Sequence, residues 1–200
     1  MRAMHNPAPS TQDPSQHPGV LGRLLSIFRR PSLPPPLGEA DEATATDREM
    51  MARAIALARR AAEVGEVPVG AVVYETQTSR VLAEAYNTRE GEGDPTAHAE
   101  LVAVREAARV LGDWRLNACT LVVTLEPCPM CAGVLVNARL GRVVYGTDDP
   151  KAGACRSLFA ITTDPRLNHR CEVIAGVEAA VCSRLLREFF KQRRRDKRRD

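Results

Sequence analysis

Apolar positions along this chain recur with two alternating periods, and that alternation predicts its elements. Met50, Ala54, Leu57, Ala58 and Ala61 fall at helical intervals behind Thr46 and Glu49, which have capping-box spacing, so a helix is expected to about Val64. Residues 69–74 and 80–85 are short β-prone runs joined by the polar Thr76-Gln77-Thr78-Ser79, the pattern of an antiparallel hairpin. A helix capped by Asp94 or Thr96 follows to about Leu111. Residues 120–124 read as a buried strand, 128–139 as a helix, and 143–146 and 172–175 as two further strands. A last helix starts at Glu178. Strands alternating with helices predict a single α/β layered domain.

Residues 1–46 lack that periodicity. They are rich in Pro, Ser, Ala and Gly, including Pro31-Ser32-Leu33-Pro34-Pro35-Pro36, and are expected to form a disordered extension. Within them, 20–30 is a short amphipathic stretch that reads either as plain disordered chain or as a segment for a partner or an organelle address. The expected organisation is therefore an extension over 1–46, a folded domain over 47–190 and a basic end over 191–200. Two hundred residues, 44% of them hydrophobic, suffice for one domain with a sizeable core. No apolar run approaches the roughly 18 residues of a membrane helix, and no signal-peptide order is present, so no membrane partner is expected.

Cysteine usage and charge each add one constraint. Cys119, Cys155, Cys171 and Cys182 stand singly, and only Cys128 and Cys131 have ligand spacing. That is no disulfide framework, and it suggests a reducing, cytoplasmic setting. The net charge of +3 is unevenly spread: from Lys191 onward seven basic residues face two acidic ones, a local charge of +5 that leaves −2 for the remainder. Two readings stay open for this end, a solvated helix terminus favoured by the macrodipole or the footprint of a polyanionic partner.

The chemistry is concentrated in Thr96-Ala97-His98-Ala99-Glu100 and Pro127-Cys128-Pro129-Met130-Cys131. One imidazole and two thiolates make three protein ligands for Zn²⁺ and leave the fourth tetrahedral position to a reactive water, where a structural site would want four. Glu100 is not needed as a ligand and can carry protons between water and substrate. Cys-x-x-C alone also occurs in redox sites and zinc ribbons, but a redox site leaves His98 and Glu100 unexplained and a ribbon needs a second Cys-x-x-C. His-x-Glu followed by Pro-Cys-x-x-Cys is a known signature of zinc nucleobase deaminases. Both motifs fall at predicted helix starts, where unpaired N–H groups and the dipole favour thiolate. His98 and Glu100 would diverge on an ideal helix, so they are expected at a distorted or first-turn position.

The likeness extends well beyond that signature. Val67-Pro68-Val69-Gly70-Ala71-Val72, Asn87, Asp94-Pro95-Thr96-Ala97-His98-Ala99-Glu100, Thr124-Leu125-Glu126-Pro127-Cys128, Asp149-Pro150-Lys151-Ala152-Gly153, Asn168-His169-Arg170 and Phe189-Phe190 closely resemble the bacterial tRNA-specific adenosine deaminases of the TadA type. The resemblance spans 47–195 and departs at Cys155-Arg156, where that family has small residues. It implies a three-layer cytidine-deaminase-like α/β domain with a central five-stranded mixed sheet and helices on both faces. It also implies a homodimer with one Zn²⁺ per subunit, held by His98, Cys128 and Cys131, that converts adenosine to inosine at wobble position 34 in a tRNA anticodon stem-loop. In that reading Glu100 is the proton carrier and Asn87 bonds the flipped base. Val67 and Pro68 line its pocket, Asp149 contacts the adjoining sugar-phosphate, and Phe189, Phe190, Arg193 and Arg194 meet the anticodon.

Plainer readings stand beside these roles. Asn87 and Asp149-Pro150 also suit turns, Val67-Pro68 a strand start, Phe189-Phe190 inward packing, and Trp114 reads as a packing residue. The rival functions are a free-base or nucleotide deaminase of the same fold, acting on guanine, cytosine or deoxycytidylate, and a non-catalytic zinc module that binds RNA. The first has no use for a polyanion patch, and the second has none for Glu100.

Overall fold

The computed structural model describes residues 38–198. Its elements in chain order are α1 (Ala45–Glu63), β1 (Gly70–Glu75), β2 (Val81–Tyr86), α2 (Arg89–Glu92), α3 (Ala99–Leu111), β3 (Cys119–Leu125), α4 (Pro129–Asn137), β4 (Arg142–Thr147), β5 (Glu172–Ile174) and α5 (Ala179–Asp196). The five strands form one sheet in the order β2-β1-β3-β4-β5. β1 pairs antiparallel with β2 and β3, while β3–β4 and β4–β5 are parallel, so the sheet is mixed as expected. Parallel pairing of β3 and β4 requires a crossover, and α4 supplies it.

The pleat divides the core in two. Ala71, Val73, Leu121, Val123, Val143 and Tyr145 point to the side covered by α3 and α4. Their neighbours Val72, Tyr74, Val122 and Val144 point to the other side, where Met50, Met51, Ala54 and Ile55 of α1 and Cys182 of α5 cover them. Because both faces are buried, these strands read as continuous apolar runs instead of alternating ones. Gly70 is needed where β1 passes closest to α1, since a Cβ there would overlap the Ala54 carbonyl.

Several boundaries differ from expectation. Order begins before Thr46: Gly38 donates to the Val173 carbonyl at 2.9 Å and accepts from Ala175 at 3.0 Å, and Ala40–Glu42 makes a 3₁₀ turn. The amphipathic stretch 20–30 lies outside the described residues. The capping box of α1 is Thr44 with Asp47, not Thr46 with Glu49. Tertiary contacts select it, because Asp47 is wholly buried and also accepts from the Tyr74 hydroxyl at 2.6 Å and Arg142 Nη1 at 2.8 Å. The N-cap of α3 is His98, while Asp94 accepts from the Thr96 N–H and hydroxyl, both at 2.7 Å, in the turn before it. Trp114, expected as a packing residue, is 52% exposed. It sits in the turn after Gly112, with the Arg115 guanidinium 4.1 Å from its ring centre.

The Asp47 network yields a stability prediction. Burial alone would raise the Asp47 carboxyl, but the Tyr74 hydroxyl, the Thr44 N–H and hydroxyl, and the Arg142 cation outweigh it and hold its pKa below the usual carboxylate range. A depressed folded-state pKa means a contribution fully present above the unfolded value of about 3.9 and lost as pH falls through the folded one. Asp47→Asn also strands a buried guanidinium whose remaining carboxylate partner, Glu172, is exposed. It is expected to lose about 3–5 kcal/mol at pH 7. In urea melts from pH 7 to pH 3 the gap to wild type should narrow only below about pH 4; a gap constant with pH would remove the carboxylate from this role.

Candidate active site

Two helix N-termini meet beyond the carboxyl end of β3. His98 is the N-cap of α3 with extended backbone, φ −76° and ψ 146°, and Cys128 is the N-cap of α4, φ −72° and ψ 172°. Pro129 fills the first helical position, where its missing N–H is no loss. Since His98 stands outside the helix and Glu100 in its first turn, the divergence expected of an i, i+2 pair disappears. Cys128 Sγ and Cys131 Sγ lie 3.6 Å apart, and His98 Nδ1 is 3.7 Å from the first and 3.5 Å from the second. A tetrahedral zinc with ordinary bond lengths sets edges of about 3.8 Å between sulfurs and about 3.6 Å between sulfur and nitrogen. The three donor atoms therefore fit the ion in number, type and spacing.

Electrostatics agree with that geometry. Cys131 and then His98, against the opposing effect of burial, pull the Cys128 thiol down to about 4, while sharing a proton with Cys128 and burial push Cys131 upward. Glu100 is 4% exposed, and burial pushes its carboxyl above the usual range, with the Cys128 charge adding to the rise and its own N–H and His98 opposing it.

A cavity of about 150 Å³ opens onto His98, Cys128 and Glu100, bounded also by Val67, Val69, Asn87, Arg89, Leu125 and Asp149. Of the expected pocket pair, Val67 lines the cavity, whereas Pro68 is buried outside the lining and Val69 takes its place. Asn87 continues the hairpin ladder through its N–H to the Val69 carbonyl, and it is one of the residues lining the cavity. Asp149 accepts from the Lys151 N–H at 2.9 Å, as a turn residue does, and it also lines the cavity.

A larger groove of about 740 Å³ runs from Val67 and the 148–151 loop to α5, where Arg187, Phe190, Lys191 and Arg194 line it. Phe190, 44% exposed, is the aromatic in the groove, with Phe189 edge-on to it at 5.4 Å and outside the lining. Arg193 donates instead to the Gly65 carbonyl at 3.1 Å and lies over the Phe189 ring, bracing the helix end.

Some residues near the site carried no signal beyond sitting beside a motif. Glu126, buried next to Pro127-Cys128, accepts from the N–H groups of Asp149, Cys155, Arg156 and Ser157 and from the Ser157 hydroxyl. Burial works to raise its carboxyl, and these bonds win and hold it low. Gly153 is required beneath it, because a Cβ there would overlap the carboxylate. Arg156, the departure from the family pattern, joins Asp148 through Nε and Nη2 at 3.0 and 3.1 Å and Glu39 through Nη1 at 3.1 Å. Arg89 at the cavity and Glu66 behind Asn87 were also not anticipated.

Comparison with known proteins bears on this site. A family model described as MafB19-like deaminase matches residues 45–194. The tRNA-specific adenosine deaminase of Bacillus subtilis is 44% identical over 151 residues, 76% of this chain and 92% of its own. That of Haemophilus influenzae is also 44% identical over 151 residues, covering 76% and 87%. A solved structure from studies of A-to-I editing by tRNA:A34 deaminases at the wobble position of transfer RNA is 39% identical, with a TM-score of 0.66 over 69% of this chain and 99% of that one.

Proposed function

The chain belongs to the MafB19-like deaminase family, and we propose that it converts adenosine to inosine by hydrolysis at wobble position 34 of a tRNA anticodon. The observation that carries the reading is a buried carboxylate beside His98 and Cys128 of a three-donor metal triangle on one cavity, with Cys131 buried behind them and the cavity continuous at Val67 and Asp149 with a basic groove. His98, Cys128 and Cys131 would hold one zinc ion per subunit, which supplies an acidified water and an electrophilic pole. Glu100 takes the proton of the water that adds at C6 and returns protons to the ring nitrogen and the departing amino group, so that water and adenosine leave as inosine and ammonia. Asn87 bonds the flipped base, Val67 and Val69 bound its pocket, and Asp149 meets the adjoining sugar-phosphate.

The groove argues for RNA over a free base, since Arg187, Lys191 and Arg194 surround Phe190 with positive charge, as phosphates and stacked bases require. A homodimer has support in Leu158 and Phe159, 52% and 53% exposed, just before the Ile161–Thr163 turn that packs against the apolar α4. Six free thiols support a reducing, cytoplasmic setting. Among the described residues, no helix is long and apolar enough to cross a membrane.

Incubation of the zinc-loaded protein with total tRNA, and separately with adenine, guanine and cytidine, tests the reading. Inosine is expected at position 34 of tRNA, with the free compounds unchanged. Turnover confined to a free base would overturn it.

A further inference from the structure

Glu66 is 3% exposed, in the turn between α1 and β1, and takes no part in the chemistry above. Both its oxygens are nonetheless committed: Oε2 accepts from Asn87 Nδ2 at 2.9 Å and Oε1 from the Gly91 N–H at 2.6 Å. A carboxylate accepting at both oxygens can only face the amino end of a carboxamide, so the sense of the Asn87 amide is set by its neighbour. We propose that Glu66 is a positioning residue for base recognition, fixing which way Asn87 presents its carbonyl and remaining N–H to the base. Its second oxygen pins α2, the turn that brings Arg89 to the same cavity. This rests on the reading of Asn87 as the base contact.

The chemistry explains why an acid stands there. A neutral carbonyl could accept from the part-buried Gly91 N–H equally well, so a buried charge is not needed for that bond alone. An asparagine left free to turn over would offer donor and acceptor in exchanged places, and selection by hydrogen bonding fails when polar groups meet unpaired. Glu66→Gln makes that exchange. The carbonyl of the substituted side chain must serve Gly91, its amino group then faces Asn87, and Asn87 must turn over to answer it.

The test is a double-mutant cycle of Glu66→Gln and Asn87→Ala in the full zinc-loaded chain, read as kcat/KM for inosine in tRNA, with zinc content and melting temperature alongside. Glu66→Gln is expected to lose about tenfold or more in kcat/KM at wild-type zinc content, and less than about threefold further in the Asn87→Ala background, because the group it acts through is gone. Glu66→Asp, which keeps two acceptors, should recover part of the loss. Equal losses in both backgrounds, or no loss in Glu66→Gln, overturn the inference and leave the base contact standing. Failure of both Glu66 variants to fold makes Glu66 a folding residue and also overturns it. Wild-type turnover in Asn87→Ala removes the base contact itself, and the inference with it.

Discussion

Glu100→Gln is expected to bind zinc at the wild-type stoichiometry and to lose about 10²- to 10⁴-fold in the rate of inosine formation, the range of a positioned acid–base group. Both parts follow from where Glu100 sits. It lines the cavity beside His98 and Cys128, yet the three donors already complete the triangle without it. Removing its charge leaves the spacing of the ligand atoms untouched. What disappears is, among the described residues, the only carboxylate that is both almost fully buried and placed on the reaction cavity to accept and return protons, apart from Glu126, whose oxygens are bound by five donors. Gln preserves size and most polar contacts, so a folding defect is not the expected cause. Single-turnover inosine formation and zinc measured on the same preparation decide the matter. Turnover within about threefold of wild type would take the proton-carrying role from Glu100, and zinc loss would make it a ligand or a ligand support instead.

The parts of this site legible in sequence were those where one residue type answers one chemical need. His98, Cys128 and Cys131 could be picked out as a candidate ligand set because few residue types bind zinc and their spacing at helix starts is a local property, and their donor atoms do lie together. The alternation of apolar periods was equally local, and all five strands and the long helices fall within a few residues of expectation. What escaped were partnerships across the chain. Asp47 rather than Glu49 closes the α1 capping box because Tyr74 and Arg142 hold it, 27 and 95 residues away. Glu66 meets Asn87 across 21 residues, and Glu126 gathers N–H groups as far away as Ser157. Nothing in a run such as Gly65-Glu66-Val67 says that its acid is buried and engaged. The two aromatics of α5 illustrate the same limit, since adjacent helical positions face different ways and only the packed helix decides that Phe190 lines the groove.

Removal of zinc is expected to abolish turnover outright, the other large effect. Lowering the pKa of a water from 15.7 to about 7 is a shift of roughly 9 units, on the order of 12 kcal/mol at 1.36 kcal/mol per unit, and no single substrate hydrogen bond replaces that. Cys131 is the ligand to test, because its side chain is wholly buried and lies within 3.6 Å of both other donor atoms. Cys131→Ala leaves two donors, too few for a stable site, at the expense of one small buried thiol. Zinc content should fall from about one per chain to near none, and inosine formation with it. Melting temperature supplies a readout independent of catalysis: an ion bound by the folded state alone stabilises it by mass action, and one held by His98, Cys128 and Cys131 would tie the starts of α3 and α4 together. A chelator should therefore lower the melting temperature of the wild-type chain and leave that of Cys131→Ala unmoved. A Cys131→Ala protein that kept its zinc and still responded to the chelator would place the metal elsewhere than in the triangle of His98, Cys128 and Cys131.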